Sequence, residues 1–321
     1  MLRLIRWRDW YDSKLPLLFL AVYYLLLIQQ KTQLQDAVLL LYYGALFISL
    51  FSFGYMLNDF SDISVDRISG KENAASRLSG GQQAIALLII LLTGLLAFAP
   101  NYRNSLATIF LVLFYLFSIL YSVGPIRLKE RDVVGIICVS LAQRVLPLLI
   151  IFAVFEHFGY DTLVFAILSF LIGIRWILIH QLLDRDKDIS AGVGTFAANR
   201  APERVFRAML FCFVMEIVSL IGLMGLLAYE MPFVPIIAIL YLIYGLYLTP
   251  LWKRVGFRRM LSSYDFAPLA DFYYFWLPFS VSILLSCLNP FLLAIPVIEV
   301  IWKTAYIKLD IGLIKLRKVY T

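Results

Sequence analysis

Residues 37–57, AVLLLYYGALFISLFSFGYML, run directly into residues 58–66, NDFSDISVD. The first segment carries no charge, and its length matches the roughly 20 apolar residues a helix needs to cross about 30 Å of hydrocarbon. A barrel strand offers only ~10 alternating residues, so the run reads as a membrane helix whose last turns carry acids. Comparable apolar runs lie near residues 17–28, 84–99, 106–121, 133–155, 163–183, 206–229, 233–251 and 274–302, which gives about nine spans. Composition agrees: 62% of the 321 residues are hydrophobic and 15% charged, against ~25% charged in soluble domains. The expected fold class is an all-α polytopic membrane protein, a single transmembrane domain over residues 1–321 with no room for a large soluble one.

The start, MLRLIRWR, leads into an apolar run with no small-residue cleavage site and reads as a retained first helix. The formal net charge of +7 contains no basic run suited to nucleic acid, and no nucleic-acid partner is expected. What matters is where the positive charge falls. Basic residues crowd the N-terminus and the segments around Arg67–Arg77, Arg127–Arg131, Arg185–Arg207 and Lys253–Arg259, whereas the alternate loops hold only Lys31 and Arg103. By the positive-inside rule the N-terminus and the basic loops face the cytoplasm, as in an integral multi-pass protein of a prokaryotic cell membrane. A nine-span count leaves the basic tail outside. The last run, which contains Asn289-Pro290 and Pro296, is therefore read either as one kinked ninth helix, the favoured form, or as a hairpin. Residues 303–321 alternate Lys with apolar residues and read as an amphipathic tail. Cys138, Cys212 and Cys287 stand singly without metal-ligand spacing and are expected to be small buried hydrophobes.

One internal repeat is visible. Asn58, Asp59, Asp62 and Asp66 close the second span, and His180, Gln181, Asp184 and Asp188 recur at the same offsets at the end of the sixth. Each set is followed four residues later by a glycine, Gly70 and Gly192. An even number of crossings separates the two spans, so both polar ends emerge on one side. Two four-helix pseudo-repeats, about 12–122 and 132–251, with a ninth helix at about 274–302, would then face one shared central cavity.

On a helix, Asp59, Asp62 and Asp66 share one face. Like charges on adjacent turns repel, and carboxylates near a membrane are costly, so a bound cation answers both difficulties. Oxygen-only donors suit Mg²⁺, which binds through one or two carboxylates together with waters and substrate phosphates. A solvated helix end is the plain alternative for one such cluster, but two matched clusters on one membrane face point to a pair of Mg²⁺ sites holding a diphosphate. Lys71, Arg77, Arg127 and Lys129 in the adjoining loops could donate to its oxygens. A transporter would place its acids near the bilayer midplane, whereas these lie at one end of their spans beside a basic loop.

The motifs resemble those of the UbiA superfamily of intramembrane prenyltransferases. Asn58-Asp-Phe-Ser-Asp62-Ile-Ser-Val-Asp66 matches that family's N-D-x-x-D-x-x-x-D motif in full, and Arg77-Leu-Ser-Gly-Gly81 is similar to its R-P-L-x-x-G continuation without the Pro. Tyr121-Ser-Val-Gly-Pro-Ile-Arg127-Leu-Lys129 resembles the Y-S-x-P-P-x-R-x-K loop with Gly124 for the first Pro, and Asp184-x-x-x-Asp188-x-x-x-Gly192-x-x-Thr195 resembles the second aspartate motif. His180-Gln181 departs from the Asn-Asp pair that opens the first.

The resemblance implies nine helices around a cavity and Mg²⁺ on both motifs. The metal ligands are then Asn58, Asp59, Asp62, Asp66, Gln181, Asp184 and Asp188, with Asp59, Asp62, Asp184 and Asp188 essential for catalysis. Tyr121 joins the four basic residues at the diphosphate. The implied reaction transfers a prenyl group from an isoprenyl diphosphate to a small lipophilic or aromatic acceptor of quinone or related lipid synthesis. The alternative is a terpene cyclase built on the same clamp, in which the cation is attacked by its own chain.

Other charges lie inside predicted spans. Arg144 and His180 are possible cavity residues. Arg175 points away from the clamp, and an ion pair of Glu216 with one of the arginines is the plain reading. Asp12 and Lys14 read as a solvated start of the first span rather than as part of the site mouth. Phe53, Tyr55, Tyr115 and Trp176 are candidate aromatic walls for an allylic cation.

Overall fold

The computed structural model describes residues 4–31, 33–68, 70, 72–262 and 269–304, and among these there is no strand. The main helices are α1 (Leu15–Ile28), α2 (Leu34–Ile68), α3 (Gly80–Phe98), α4 (Ser105–Ser122), α5 (Asp132–Val154), α6 (Tyr160–Leu183), α7 (Pro202–Glu230), α8 (Val234–Val255), α9 (Phe272–Leu288) and α10 (Ala294–Thr304). Local chemistry sets several starts. Ser79 and Gln82 form a reciprocal capping box at α3, the Asn104 side chain accepts the Ala107 N–H at α4, and Pro202 opens α7, where a missing N–H costs nothing.

Six of the described helices are long and apolar enough to cross a membrane, and Leu15–Ile28, Val234–Leu246, Phe272–Leu288 and Pro290–Ile301 are shorter apolar segments. Where about nine spans were expected, the described residues form six long and four short apolar elements. Helix α1 is apolar on every side and buried on nearly all of them, with Leu17, Leu20, Val22 and Leu25 in the core, as a helix enclosed by others must be. Helices α2 and α3 pack along one another, as do α6 and α7, while α9 lies on α1. The outward faces expose Leu41, Ile85, Leu88, Leu96, Ile109, Phe211 and Ile221. Such a belt suits lipid and would be an aggregation hazard in water.

The last apolar run is not one kinked helix. It ends at Asn289, turns through Pro290–Leu293 and returns as α10, and the Ser282 hydroxyl on α9 donates to Glu299 Oε2 on α10 at 2.8 Å. The favoured reading of a single ninth helix is corrected to the hairpin. Asn289 makes the turn by accepting the Phe291 N–H, and Pro290 removes a backbone donor that a continuing helix would need. The amphipathic tail expected at 303–321 lies, from residue 305 on, outside the described residues. Cys138 and Cys212 are buried as expected, but Cys287 is exposed near the end of α9.

Among the described residues the spans carry one fully buried ion pair. Arg175 donates from Nε and Nη2 to the two Glu216 oxygens at 2.6 and 2.8 Å, and Nη2 also reaches the Tyr273 hydroxyl at 2.9 Å. Two π-turns, Leu141–Val145 within α5 and Phe272–Trp276 opening α9, put sequence neighbours to use side by side. Tyr273 holds Arg175 while Tyr274 holds Arg144, and Gln143 and Arg144 both reach the N-terminal segment. The wider π-helical turn is a recurrent means of re-aiming side chains at functional sites.

Candidate active site

The first acidic set lies on the last turns of α2, which continues unbroken to Ile68, so Asp59, Asp62 and Asp66 keep the shared face read from their spacing. Each is engaged. Arg127 Nη2 donates to Asp62 Oδ1 at 2.7 Å and its Nη1 to the Ser61 carbonyl at 3.2 Å. Lys129 Nζ bonds Asn58 Oδ1 at 3.0 Å and also Asp62 Oδ1. Asn73 Nδ2 reaches back to Asp66 Oδ2 at 2.7 Å and to the Asp59 carbonyl at 2.8 Å, folding the following loop onto the helix. Arg6, from the N-terminal segment, bridges Asp59 Oδ1 at 3.1 Å and Asp9 Oδ2 at 2.6 Å.

Lys129 is pressed into the fold because its loop packs under α5. A Cβ on Gly135 would meet the Leu128 carbonyl oxygen at 2.5 Å, so only glycine allows this approach. Burial lowers the Lys129 ammonium below its usual range, and the Asp62 carboxylate opposes that shift.

The second acidic set does not lie on one continuous helix. Helix α6 ends at Leu183, the chain bends at Asp184, and a short helix Arg185–Ser190 carries Asp188. The Asp188 N–H still bonds the Asp184 carbonyl at 2.9 Å, so the i, i+4 relation survives the bend. Asp188 Oδ2 accepts the Thr195 hydroxyl at 3.0 Å. His180 is half exposed, 3.7 Å from Asp184 Oδ2. Gln181, expected among the metal ligands, is buried, and its Oε1 accepts the Ala197 N–H at 3.4 Å, which ties it to the following loop. Gly70 and Gly192, the matched glycines, both take left-handed backbone, at φ 67° and 69°. The repeat thus holds at the level of how each motif is terminated.

Two observations join the sets. The Tyr121 phenol lies within electrostatic range of both Asp62 and Asp188. The basic loop that grips Asp62 is tied to the loop that grips Asp188, because Arg200 Nη1 bonds Asp132 Oδ1 at 2.5 Å and Gly194 sits against the Glu130 carbonyl. Among the described residues no three His, Cys, Asp or Glu side chains converge into a ready metal cage. The donors are nonetheless oxygens, in pairs, beside cations. That set fits Mg²⁺, which takes few protein ligands and completes its shell with water and phosphate oxygens.

Of the expected diphosphate donors, Arg127, Lys129 and Tyr121 stand at the acids. Arg77 is exposed at the end of the turn Ala74–Arg77 and makes no ion pair among the described residues, and Lys71 lies outside them. Sequence reasoning missed Arg6 and Asn73. Nothing in spacing points to Arg6, whereas the cap pattern Asn73-Ala-Ala-Ser was a readable signal for a turn.

Lys14 overturns its reading as part of a solvated helix start. It is 5% exposed, its Nζ donates to the Tyr55 hydroxyl at 2.9 Å and to Gln143 Oε1, and it lies 4.4 Å from the Tyr55 ring centroid. Nearby, burial raises the Asp12 carboxyl to about 6. Arg144, a possible cavity residue, is also 5% exposed and donates to the Ser13 carbonyl and, at 3.2 Å, to the Tyr274 hydroxyl. Of the candidate aromatic walls, Phe53 and Tyr115 pack edge to face at 4.9 Å, and Trp176 lies 6.2 Å from Tyr274.

Fold and site together define a multi-pass helical membrane protein with two acidic motifs and a basic loop gathered at one end of its bundle. The chain belongs to the UbiA prenyltransferase family, whose model matches residues 17–266. Among solved structures it is similar to a UbiA homolog from Archaeoglobus fulgidus bound to GPP and Mg²⁺, with 20% identity and a TM-score of 0.61, covering 87% of this chain and 98% of that one. The same homolog bound to DMAPP and Mg²⁺ gives 20% identity and a TM-score of 0.60 over 87% and 98% of the two chains. Bound to Cd²⁺ it gives 19% and 0.58 over 88% and 98%. A search of curated proteins found no match.

Proposed function

We propose that this protein is a Mg²⁺-dependent prenyltransferase that takes an isoprenyl diphosphate at the cytoplasmic face and passes its prenyl group to a small aromatic acceptor. The observation that carries the reading is the joining of the two acidic motifs through their loops, with Arg127 and Lys129 on Asp62, Thr195 on Asp188, and Arg200 bonded to Asp132 between the two loops. The family and the GPP and DMAPP held by the archaeal homolog support the substrate class.

Asp59, Asp62 and Asp66 on one side and Asp184 and Asp188 on the other would hold the metal, with Asn58 as an outer donor. Mg²⁺ supplies charge neutralisation to the leaving diphosphate. The protein's own part is to orient. Arg127 offers a bidentate fork and Lys129 a point charge for oxygens that the carboxylates themselves repel. The bond between prenyl C1 and the diphosphate oxygen breaks with its electron pair leaving on oxygen. The acceptor's nucleophilic atom then bonds C1 and releases a proton. The apolar spans accommodate the isoprenoid tail, and no side-chain nucleophile is required of them.

The test is retention of labelled geranyl diphosphate by purified protein. Binding is expected to need Mg²⁺, to vanish with a chelator, and to fall at least tenfold in Asp62→Ala and in Asp188→Ala. Retention unchanged in both variants would overturn the clamp. Release of a hydrocarbon or alcohol from the diphosphate alone would instead identify the cyclase.

A further inference from the structure

The outward stripe of α7 continues past its apolar residues. Ile221, Val218, Val214 and Phe211 are exposed at three- and four-residue spacing, and the same stripe runs on through exposed Arg207 to Arg204 in the opening turns, all within an arc of about 100°. On the adjoining α8, exposed Ile239, Leu242 and Leu246 lead along one face to exposed Lys253. Gly256, with left-handed backbone at φ 79°, then turns the chain into a short helix, Phe257–Leu261, which buries Met260 and Leu261 and leaves Arg258 and Arg259 exposed. That helix lies on the start of α7. The Arg258 guanidinium stands 5.1 Å from the Phe206 ring, its Nη2 donates to Glu203 Oε1 at 3.2 Å, and the Phe257 and Phe213 rings are 6.3 Å apart.

The needs of the chain itself do not account for these cations. Arg204 occupies the first turn of a helix, where the macrodipole favours acids and disfavours a guanidinium. At the same end of the bundle Arg127 and Lys129 are spent on Asp62 and Arg200 on Asp132, whereas Arg204 and Arg207 make no ion pair among the described residues and Arg258 already takes up the neighbouring Glu203. A positive loop in water would need no more than solvent. Here the charge stands at the foot of lipid-facing stripes, about 6–10 Å along α7 from Phe211, so the arginine stems can lie on apolar surface while their heads reach the level of lipid phosphates.

We propose that the outer face of α7 and α8, at the end that carries the acidic motifs, binds an anionic phospholipid, its phosphodiester held by Arg204, Arg207 and Arg258 and its acyl chains laid along the two exposed stripes. Guanidinium groups suit a phosphodiester because each can offer two parallel N–H donors. An anionic lipid fits better than a zwitterionic one, since a choline or amine head would ask for an acid and Glu203 is paired with Arg258. The proposal does not depend on the transfer reaction.

The test places the full chain in phosphatidylcholine nanodiscs that carry a small fraction of photoactivatable phosphatidylglycerol, or of phosphatidylcholine with the same acyl photoprobe, and maps the labelled peptides. The phosphatidylglycerol probe is expected to label the α7 and α8 stripes about fivefold or more above the phosphatidylcholine probe, the effect of roughly one basic contact. Arg204→Gln/Arg207→Gln should erase that preference, and Arg204→Lys/Arg207→Lys, which keeps the charge and controls for folding, should retain most of it. Arg67→Gln/Arg131→Gln removes as much exposed charge from the same end and should leave the preference unchanged. Equal labelling of the wild type by the two probes would overturn the proposal whether or not any variant folds. An equal loss in the Arg67/Arg131 variant would do so as well, by showing a diffuse attraction of the whole face to the membrane. Displacement of the phosphatidylglycerol probe by glycerol phosphate, or by geranyl diphosphate with Mg²⁺, would also overturn it, by giving the patch to a soluble phosphate or to a prenyl diphosphate.

Discussion

Charged side chains inside the bundle differ in what their removal costs. The Arg175 and Glu216 side chains are both fully buried and share two hydrogen bonds. Breaking such a pair strands the other charge, at a cost of about 3–5 kcal/mol, whereas replacing both members by apolar groups can be neutral. Glu216→Ala is therefore expected to lower the thermal unfolding midpoint in detergent markedly, and Arg175→Met/Glu216→Leu to recover most of the loss. A single variant as stable as the wild type would show that the pair is hydrated. That Arg175 faces away from the acids is readable from its nine-residue distance to Asp184, which puts it across the helix, whereas its choice as the partner of Glu216 over Arg144 is not. Lys14 was not, since a lysine before an apolar helix usually reaches water, and here Tyr55 on α2 and Gln143 from the π-turn of α5 together hold it inside.

At the scale of elements, legibility follows the source of the signal. Helix α2 was visible through its apolar run, and its acids keep their spacing because no breaker falls before Ile68. The bend at Asp184 left no such mark, for Leu-Leu-Asp-Arg-Asp contains neither Gly nor Pro, and the break follows from the loop that Gln181, Arg185 and Thr195 hold in place. The last run did contain its breaker, Asn289-Pro290, but a kink and a turn begin from the same residues. The hairpin makes a sharp prediction. Ser282 and Glu299 would be separated by about 25 Å along a continuous helix, yet their side chains hydrogen-bond. Ser282→Cys/Glu299→Cys, in a background without Cys138, Cys212 and Cys287, should form an intramolecular disulfide under mild oxidation. Failure to cross-link, with both thiols reactive, would restore the single helix.

For the whole molecule the question is which way the bundle faces. On the proposed reading the clamp would draw on a water-soluble diphosphate head and Mg²⁺, so the side on which the motifs emerge would decide where substrate comes from, and the distribution of basic residues predicts the cytoplasm for that side. The structure adds that the relevant loops act as one face. Arg200 on the second loop bonds Asp132 on the first, and the first grips Asp62, so Glu130 and Ser190 must lie on the same side. Tyr160, highly exposed at the start of α6, stands a full helix away from the acids that follow Leu183. In a background lacking the native cysteines, Glu130→Cys and Ser190→Cys are expected to resist an impermeant thiol reagent in intact cells and to react in inverted vesicles, and Tyr160→Cys to do the reverse. Labelling of Glu130→Cys and Ser190→Cys from opposite sides would break the shared site itself. Labelling of both from outside would keep the site and move its substrate supply across the membrane.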